Sequence, residues 1–147
     1  METGVRVDPL MTRTFSVVVQ EKELAYFSEV SGLEAHMEVF QYEEGGENRF
    51  IHQLPGRLKF ANISLKQGIA HNEDLWLWFK DVMNGNVQRK DVSIVLYDSR
   101  QNEKRRWNLI KAFPTKWVGP IFKADDNAVS IETLELVFRT MDVTSKR

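Results

Sequence analysis

The sequence predicts a mainly β, antiparallel α+β fold of about six or seven strands and one helix. Three observations predict it. Runs rich in β-branched and aromatic residues recur with a period of two. Only one stretch carries an apolar pattern of helical width. Short glycine- or proline-bearing segments separate the runs, and no repeat, low-complexity tract or linker marks a second domain, so residues 1–147 are expected to form one unit.

Residues 1–11 contain Gly4 and Pro9 and no periodicity, and read as an N-terminal arm. Residues 12–20 (TRTFSVVVQ) are a strand by composition, and 24–30 is expected to pair with it through a turn at 21–23. Over 33–42, Leu33, Ala35, Met37 and Val39 alternate with Glu34, His36 and Glu38, which predicts one buried and one wet face. Residues 43–48 (EEGGEN) are a charged glycine loop, and Pro55-Gly56 is read as a second break. In 58–67, Asn62, Ser64 and Lys66 oppose Ala61, Ile63 and Leu65, and Gly68 closes the strand.

The helix is expected to be capped by Asn72, with Glu73 and Asp74 favoured by the dipole of its first turn. Leu75, Trp76, Trp78, Phe79, Val82 and Met83 make a wide apolar surface, and Asn84-Gly85 ends it. Such a width leaves apolar area beyond what one sheet face covers, which marks the outer side as a docking candidate. Strands follow at 91–98, at 104–113 after a turn at 99–102, and briefly at 115–118 after Pro114; 129–141 reads as one long final strand.

Twenty basic against twenty-one acidic side chains give a net charge of −1, which argues against a dedicated nucleic-acid binder and places no strong repulsion between copies. The absence of cysteine removes disulfides, thiolate zinc sites and cysteine nucleophiles. The N-terminal residues lack the basic region and apolar run of a secretory signal, and no apolar stretch reaches the roughly 18–20 residues that span a bilayer. Synthesis and assembly in the cytoplasm, without direct membrane insertion, are therefore expected.

No constellation points to catalysis or to a cofactor. His36, His52 and His71 lack metal-ligand spacing, and Asp125-Asp126-Asn127 lacks the alternating oxygens and distal glutamate of a calcium loop. Ser28, Ser31 and Ser93 sit in no nucleophile elbow, and the glycines at 45, 46, 56 and 68 do not lead into a phosphate-binding helix. Lys104-Arg105-Arg106 beside Trp107 reads as a charged strand start rather than a stacking platform, since Arg105 and Trp107 point one way and Arg106 the other. No metal, cofactor or catalytic residue is assigned. The segment from Phe27 to Lys66 suits a building block, whose backbone and surfaces are its function.

An ordered set of motifs then resembles a family. It comprises Phe27-Ser28-Glu29-Val30-Ser31-Gly32-Leu33, Tyr42-Glu43-Glu44-Gly45-Gly46 with Asn48, and Leu54-Pro55-Gly56. Leu65-Lys66-Gln67-Gly68, Leu75-Trp76-x-Trp78, Arg89-Lys90-Asp91, Trp107, Pro114-x-Lys116-Trp117 and Ile131-Glu132-Thr133-Leu134-Glu135-Leu136 continue it over residues 12–141. The set resembles the tail tube proteins of T4-like contractile phages and the inner tube proteins of related injection systems. Gln67, where the family commonly has arginine, and Phe138-Arg139 depart from its pattern.

The resemblance implies a β-sandwich or small barrel with a flanking helix, completing a larger β-barrel in a hexameric ring. Rings would stack into a tube inside a contractile sheath, with baseplate and spike proteins, a tube-terminating cap, and an effector or phage DNA as cargo. Under that reading the loop Glu43, Glu44, Gly45, Gly46, Glu47 and Asn48 is a ring or stacking contact. The wet residues Glu34, His36, Glu38, Asn62, Ser64 and Lys66 are lumen candidates, and Trp76, Trp78 and Lys80 are outer-helix candidates for a sheath contact. Two other roles stay open: a single-ring tube initiator between spike and tube, and a monomeric β-barrel ligand-binding domain.

Overall fold

The computed structural model describes residues 14–24, 27–43, 45–46, 51–68, 73–125 and 130–145. These form ten strands and one helix, so the mainly β, antiparallel expectation holds while the strand number exceeds it.

β1 (Phe15–Val19) and β2 (Lys22–Leu24) pair through Gln20 and Glu21, whose φ values of 48° and 65° are those of a tight two-residue hairpin turn. The turn thus falls one residue earlier than expected, and the following segment does not return to β1. Instead β3 (Phe27–Ser31) pairs with β6 (Ile63–Gly68), where Phe27 and Val30 pack against the core. That pairing is long-range, so local sequence does not specify it.

β7 (Lys90–Tyr97), β8 (Glu103–Val118), β9 (Ile131–Val137) and β10 (Thr140–Ser145) complete the sheet. The order is β2-β1-β7-β8-β9-β6-β3, with β10 also beside β8. The first half of the long β8 pairs β7 and β10, whereas its second half pairs β9. One strand therefore joins two wings. Val17, Val92, Ile94 and Leu109 from one wing meet Ile63, Leu65, Leu134 and Leu136 from the other in a common core.

Two expected boundaries move. Pro114 does not interrupt β8; it lies buried opposite Leu136, and the register shift between Pro114 and Lys116 accommodates its missing N–H. The final strand is split at Phe138 and Arg139, so that β9 and β10 run consecutively along β8 as far as Ser145.

α1 (Asp74–Met83) begins after Glu73, which makes no side-chain capping bond; Asn72, the expected cap, lies outside the described residues. Asn84 ends the helix and Gly85 follows at φ 85°. Leu75 and Trp78 enter the core, and the Trp76 ring lies 4.8 Å from that of Trp117 on β8.

The remaining two strands stand apart. β4 (Ala35–Tyr42) and β5 (His52–Phe60) pair only with each other and make little contact with the wings. Pro55-Gly56 is inside β5 rather than a break. Gly56 and Arg57 together oppose Glu38 in a bulge between the Met37–Leu58 and Val39–Pro55 pairs, and the Phe40 ring covers Gly56 so closely that a Cβ there would lie 2.6 Å from it. The base of this hairpin is tied in by Ala61 N–H donating to the Glu34 carbonyl and by the Phe60 ring 5.1 Å from Phe138.

Candidate functional site

In the β4–β5 hairpin, alternation places Ala35, Met37 and Val39 on one face with Leu58 and Phe60. His36, Glu38 and Lys59 share the other face with Phe40, Leu54 and Tyr42 nearer the tip. The sequence predicted the first face to be buried, but Met37 is 44%, Val39 53% and Leu58 52% exposed. The alternation is genuine, yet among the described residues no element covers it. Phe40, Tyr42 and Leu54 are also more than half exposed. Contiguous apolar surface of this kind marks a contact with another molecule.

The outward face of the β8–β9–β6–β3 wing is polar. Its cross-strand rows run Ser31–Ser64–Glu135–Lys116 and Glu29–Lys66–Thr133–Val118. Lys66 pairs with Glu29 at 2.9 Å and Lys116 with Glu135 at 3.5 Å, so the charges on this face cancel locally. Exposed pairs of this type contribute little stability, roughly 0–1 kcal/mol each. They leave a hydrated surface without a strong field of either sign.

Beneath that face, Glu132 is 1% exposed and its two carboxylate oxygens accept from Gln67 Nε2 and Trp117 Nε1, each at 2.9 Å. The network ties β6, β8 and β9 together near one end of the three strands. Sequence reasoning singled out Gln67 only as a departure from the family and missed its bond to Glu132, which spans 65 positions.

The lumen candidates divide between two places. Ser64 and Lys66 project from the polar wing; Asn62 is exposed in the connection before β6. Glu34 precedes β4, and His36 and Glu38 lie on the hairpin, where Glu38 pairs with Lys59. A hydrogen bond from Lys59 holds the Glu38 carboxyl below its ordinary value. Of the stacking loop, Glu43, Gly45 and Gly46 are exposed, with Gly46 at φ 98°; Glu44, Glu47 and Asn48 lie outside the described residues.

The outer-helix set is corrected at one position. Trp78 is 4% exposed and donates its Nε1–H to the Gln88 carbonyl at 2.9 Å, so it is a core residue unavailable to a sheath. Trp76 is half-buried against Trp117, and Lys80 is exposed; Leu77 and Met83 are the exposed apolar side chains of the helix. Among the described residues no three histidine, aspartate or glutamate side chains converge to hold a metal. No helix among them is long and apolar enough to cross a membrane.

Residues 11–142 match the family described as T4-like virus tail tube protein gp19, and the chain belongs to that family. It is a structural tube subunit of a phage tail or contractile injection particle. It is similar to a chain in the extended sheath–tube complex of PVC, an extracellular contractile injection system, at 26% identity over 97% of this chain and 95% of that one, with a TM-score of 0.81. A chain in the tube-terminating cap of the anti-feeding prophage shares 24% identity over 99% and 97% of the two chains, with a TM-score of 0.82. Hcp1 from Flavobacterium johnsoniae shares the fold at 16% identity and a TM-score of 0.55, over 91% of this chain and 97% of that one. No curated protein matches the sequence.

Proposed function

We propose that copies of this chain close into six-membered rings and that the rings stack into a hollow tube, without catalysis by the chain itself. The observation that carries the reading is the β4–β5 hairpin, which exposes Met37, Val39 and Leu58 on a two-stranded ribbon. An isolated two-stranded ribbon is marginal in water, and a neighbouring copy supplies its missing cover. The edge strands of the wings, β3 among them, offer unpaired backbone groups to the adjacent subunit. A head-to-tail contact closes a ring when its rotation divides a full turn.

In this assembly the polar wing face, carrying Ser64 and Lys66, lines the lumen, with Glu34, His36, Glu38 and Asn62 as further candidates. Locally cancelled charge lets an effector protein or phage DNA pass without gripping it. The loop at 43–48 contacts the next ring. Trp76 and Lys80 lie on the side offered to a sheath protein. Baseplate and spike proteins hold one end of the tube and a cap the other, after synthesis and assembly in the cytoplasm. Residues 1–147 act as one unit, with 1–11 as an arm.

Electron microscopy and sedimentation of the purified chain test this reading. Six-fold rings and tubes are expected over a range of concentration. A monomer under every condition that nucleates tubes would overturn it.

A further inference from the structure

Outside the hairpin and the polar wing, one cleft carries chemistry that the fold does not use. It has a volume of about 450 Å³ and lies where two irregularities of the sheet meet. The first is in β8, where Ile110 and Lys111 bulge opposite Asp91, and Lys111 adopts φ 58°. A left-handed conformation is unfavourable by about 1–2 kcal/mol for a residue other than glycine. Here the Asp91 Oδ1, accepting from the Lys111 N–H at 3.0 Å, holds it. The second is the break at Phe138 and Arg139, where the Arg139 N–H donates to the Ile110 carbonyl at 2.9 Å.

Together these features aim Lys111 and Arg139 into the cleft beside Arg89, over an apolar floor that includes Phe113 and Phe138. Arg89 stacks 5.2 Å from the Phe113 ring. Among the described residues, none of the three cations has a carboxylate partner. Bulges re-aim side chains, and strain retained at a defined position points to use.

We propose that this cleft receives the acidic tip of the β4–β5 hairpin from a second copy of the chain, in the adjoining ring. The inference rests on the assembly reading above and names the partner of its stacking loop. The connection reads Glu-Glu-Gly-Gly-Glu-Asn-Arg over 43–49, three carboxylates and one arginine, which leaves it net acidic opposite the three cations. Tyr42 and Leu54 behind it are more than half exposed and match the aromatic floor.

The geometry excludes a contact within one molecule. Phe60, at the base of the hairpin, touches Phe138 of the cleft, and the eight residues of β4 hold Glu43 about 26 Å from that base. A tip therefore reaches only another copy's cleft. Because that copy presents its own tip in turn, the contact is head-to-tail and repeats from ring to ring along the tube axis, where no rotation closes it.

The chain has no cysteine, so Gly45→Cys with Arg139→Cys introduces the only thiols; Gly45 has open space around it and Arg139 is exposed. A short bis-maleimide is expected to join copies of this variant into a denaturation-resistant ladder extending beyond six chains. Separately, reversing the cleft (Arg89→Glu, Lys111→Glu, Arg139→Glu) is expected to abolish stacking but leave rings. Adding Glu43→Lys, Glu44→Lys and Glu47→Lys to that chain is expected to restore tubes.

Wild-type tubes with no ladder from the cysteine pair, or a cleft-reversed chain that stacks like wild type, would overturn the proposal. A tip reversal that fails to rescue would do the same. If cleft reversal unfolds the chain, the cysteine pair decides alone. A wild-type chain that forms neither rings nor tubes would instead refute the assembly reading beneath it.

Discussion

Replacing Met37, Val39 and Leu58 together by serine strips the apolar face of the hairpin without touching the core. Each of these side chains is about half exposed, at 44%, 53% and 52%. Fully burying such a side chain contributes about 1.5–3 kcal/mol, so covering the exposed half contributes about 1 kcal/mol apiece. The triple change thus removes about 3 kcal/mol from each hairpin contact. At roughly 1.4 kcal/mol per factor of ten, the dissociation constant of that contact rises about 100-fold. Sedimentation velocity across a dilution series reads the shift directly, and circular dichroism checks that the two wings remain folded. Assembly of the variant at wild-type concentrations would refute the argument that this face is covered by a second copy. So would loss of the fold in the isolated chain, since the face would then belong to the core.

Four further outcomes are expected. Gly32→Ala should lower stability in urea by more than about 1–2 kcal/mol, because Gly32 sits at φ 97° and a Cβ would lie 2.1 Å from the Asn62 carbonyl oxygen. Glu132→Leu should cost about 2–4 kcal/mol, since it leaves the Gln67 amide and the Trp117 indole without this acceptor; urea unfolding followed by tryptophan fluorescence measures it. Leu65→Ala, at a fully buried site between the wings, should cost about 2–5 kcal/mol in the same assay. For Asp98, hydrogen bonds from the Asn102 and Arg100 backbone N–H groups hold the carboxyl below its ordinary value of 3.8. A depressed carboxyl lends stability that is present above pH 3.8 and is lost as the pH falls through its lower folded value. Asp98→Asn should therefore flatten the acid limb of the stability curve, and an NMR titration placing Asp98 at or above 3.8 would contradict the account.

Much of this fold was legible because it rests on local pattern. The alternation at Ile63, Ser64, Leu65 and Lys66 reported its buried and wet faces correctly. The acid-rich start and Asn84-Gly85 stop framed α1 within two residues. What escaped was set by distant partners. Nothing in Phe27–Ser31 says that it pairs with β6 rather than β1, because both edges would accept the same residues.

The first half of β5 reads His-Gln-Leu-Pro-Gly-Arg, with no alternation; it is a strand only because β4 pairs with it across the Gly56 bulge. The Met37 face shows the converse limit. Alternation reveals that a face needs cover but not whether the cover comes from the same chain. Helical width likewise did not separate Trp78, which faces the core, from Leu77 beside it. Arg89, Lys111 and Arg139 are brought together by two sheet irregularities and carry no joint signal along the sequence.

The central claim is that one copy leaves its surfaces unfinished and that a stacked ring completes them. Electron microscopy of purified wild-type chain, with symmetry read from end-on views, tests it most directly. The account predicts six-fold rings that pile into hollow tubes whose walls include the β4–β5 hairpin of each copy. Rings or tubes in which that hairpin stays bare to solvent would contradict it.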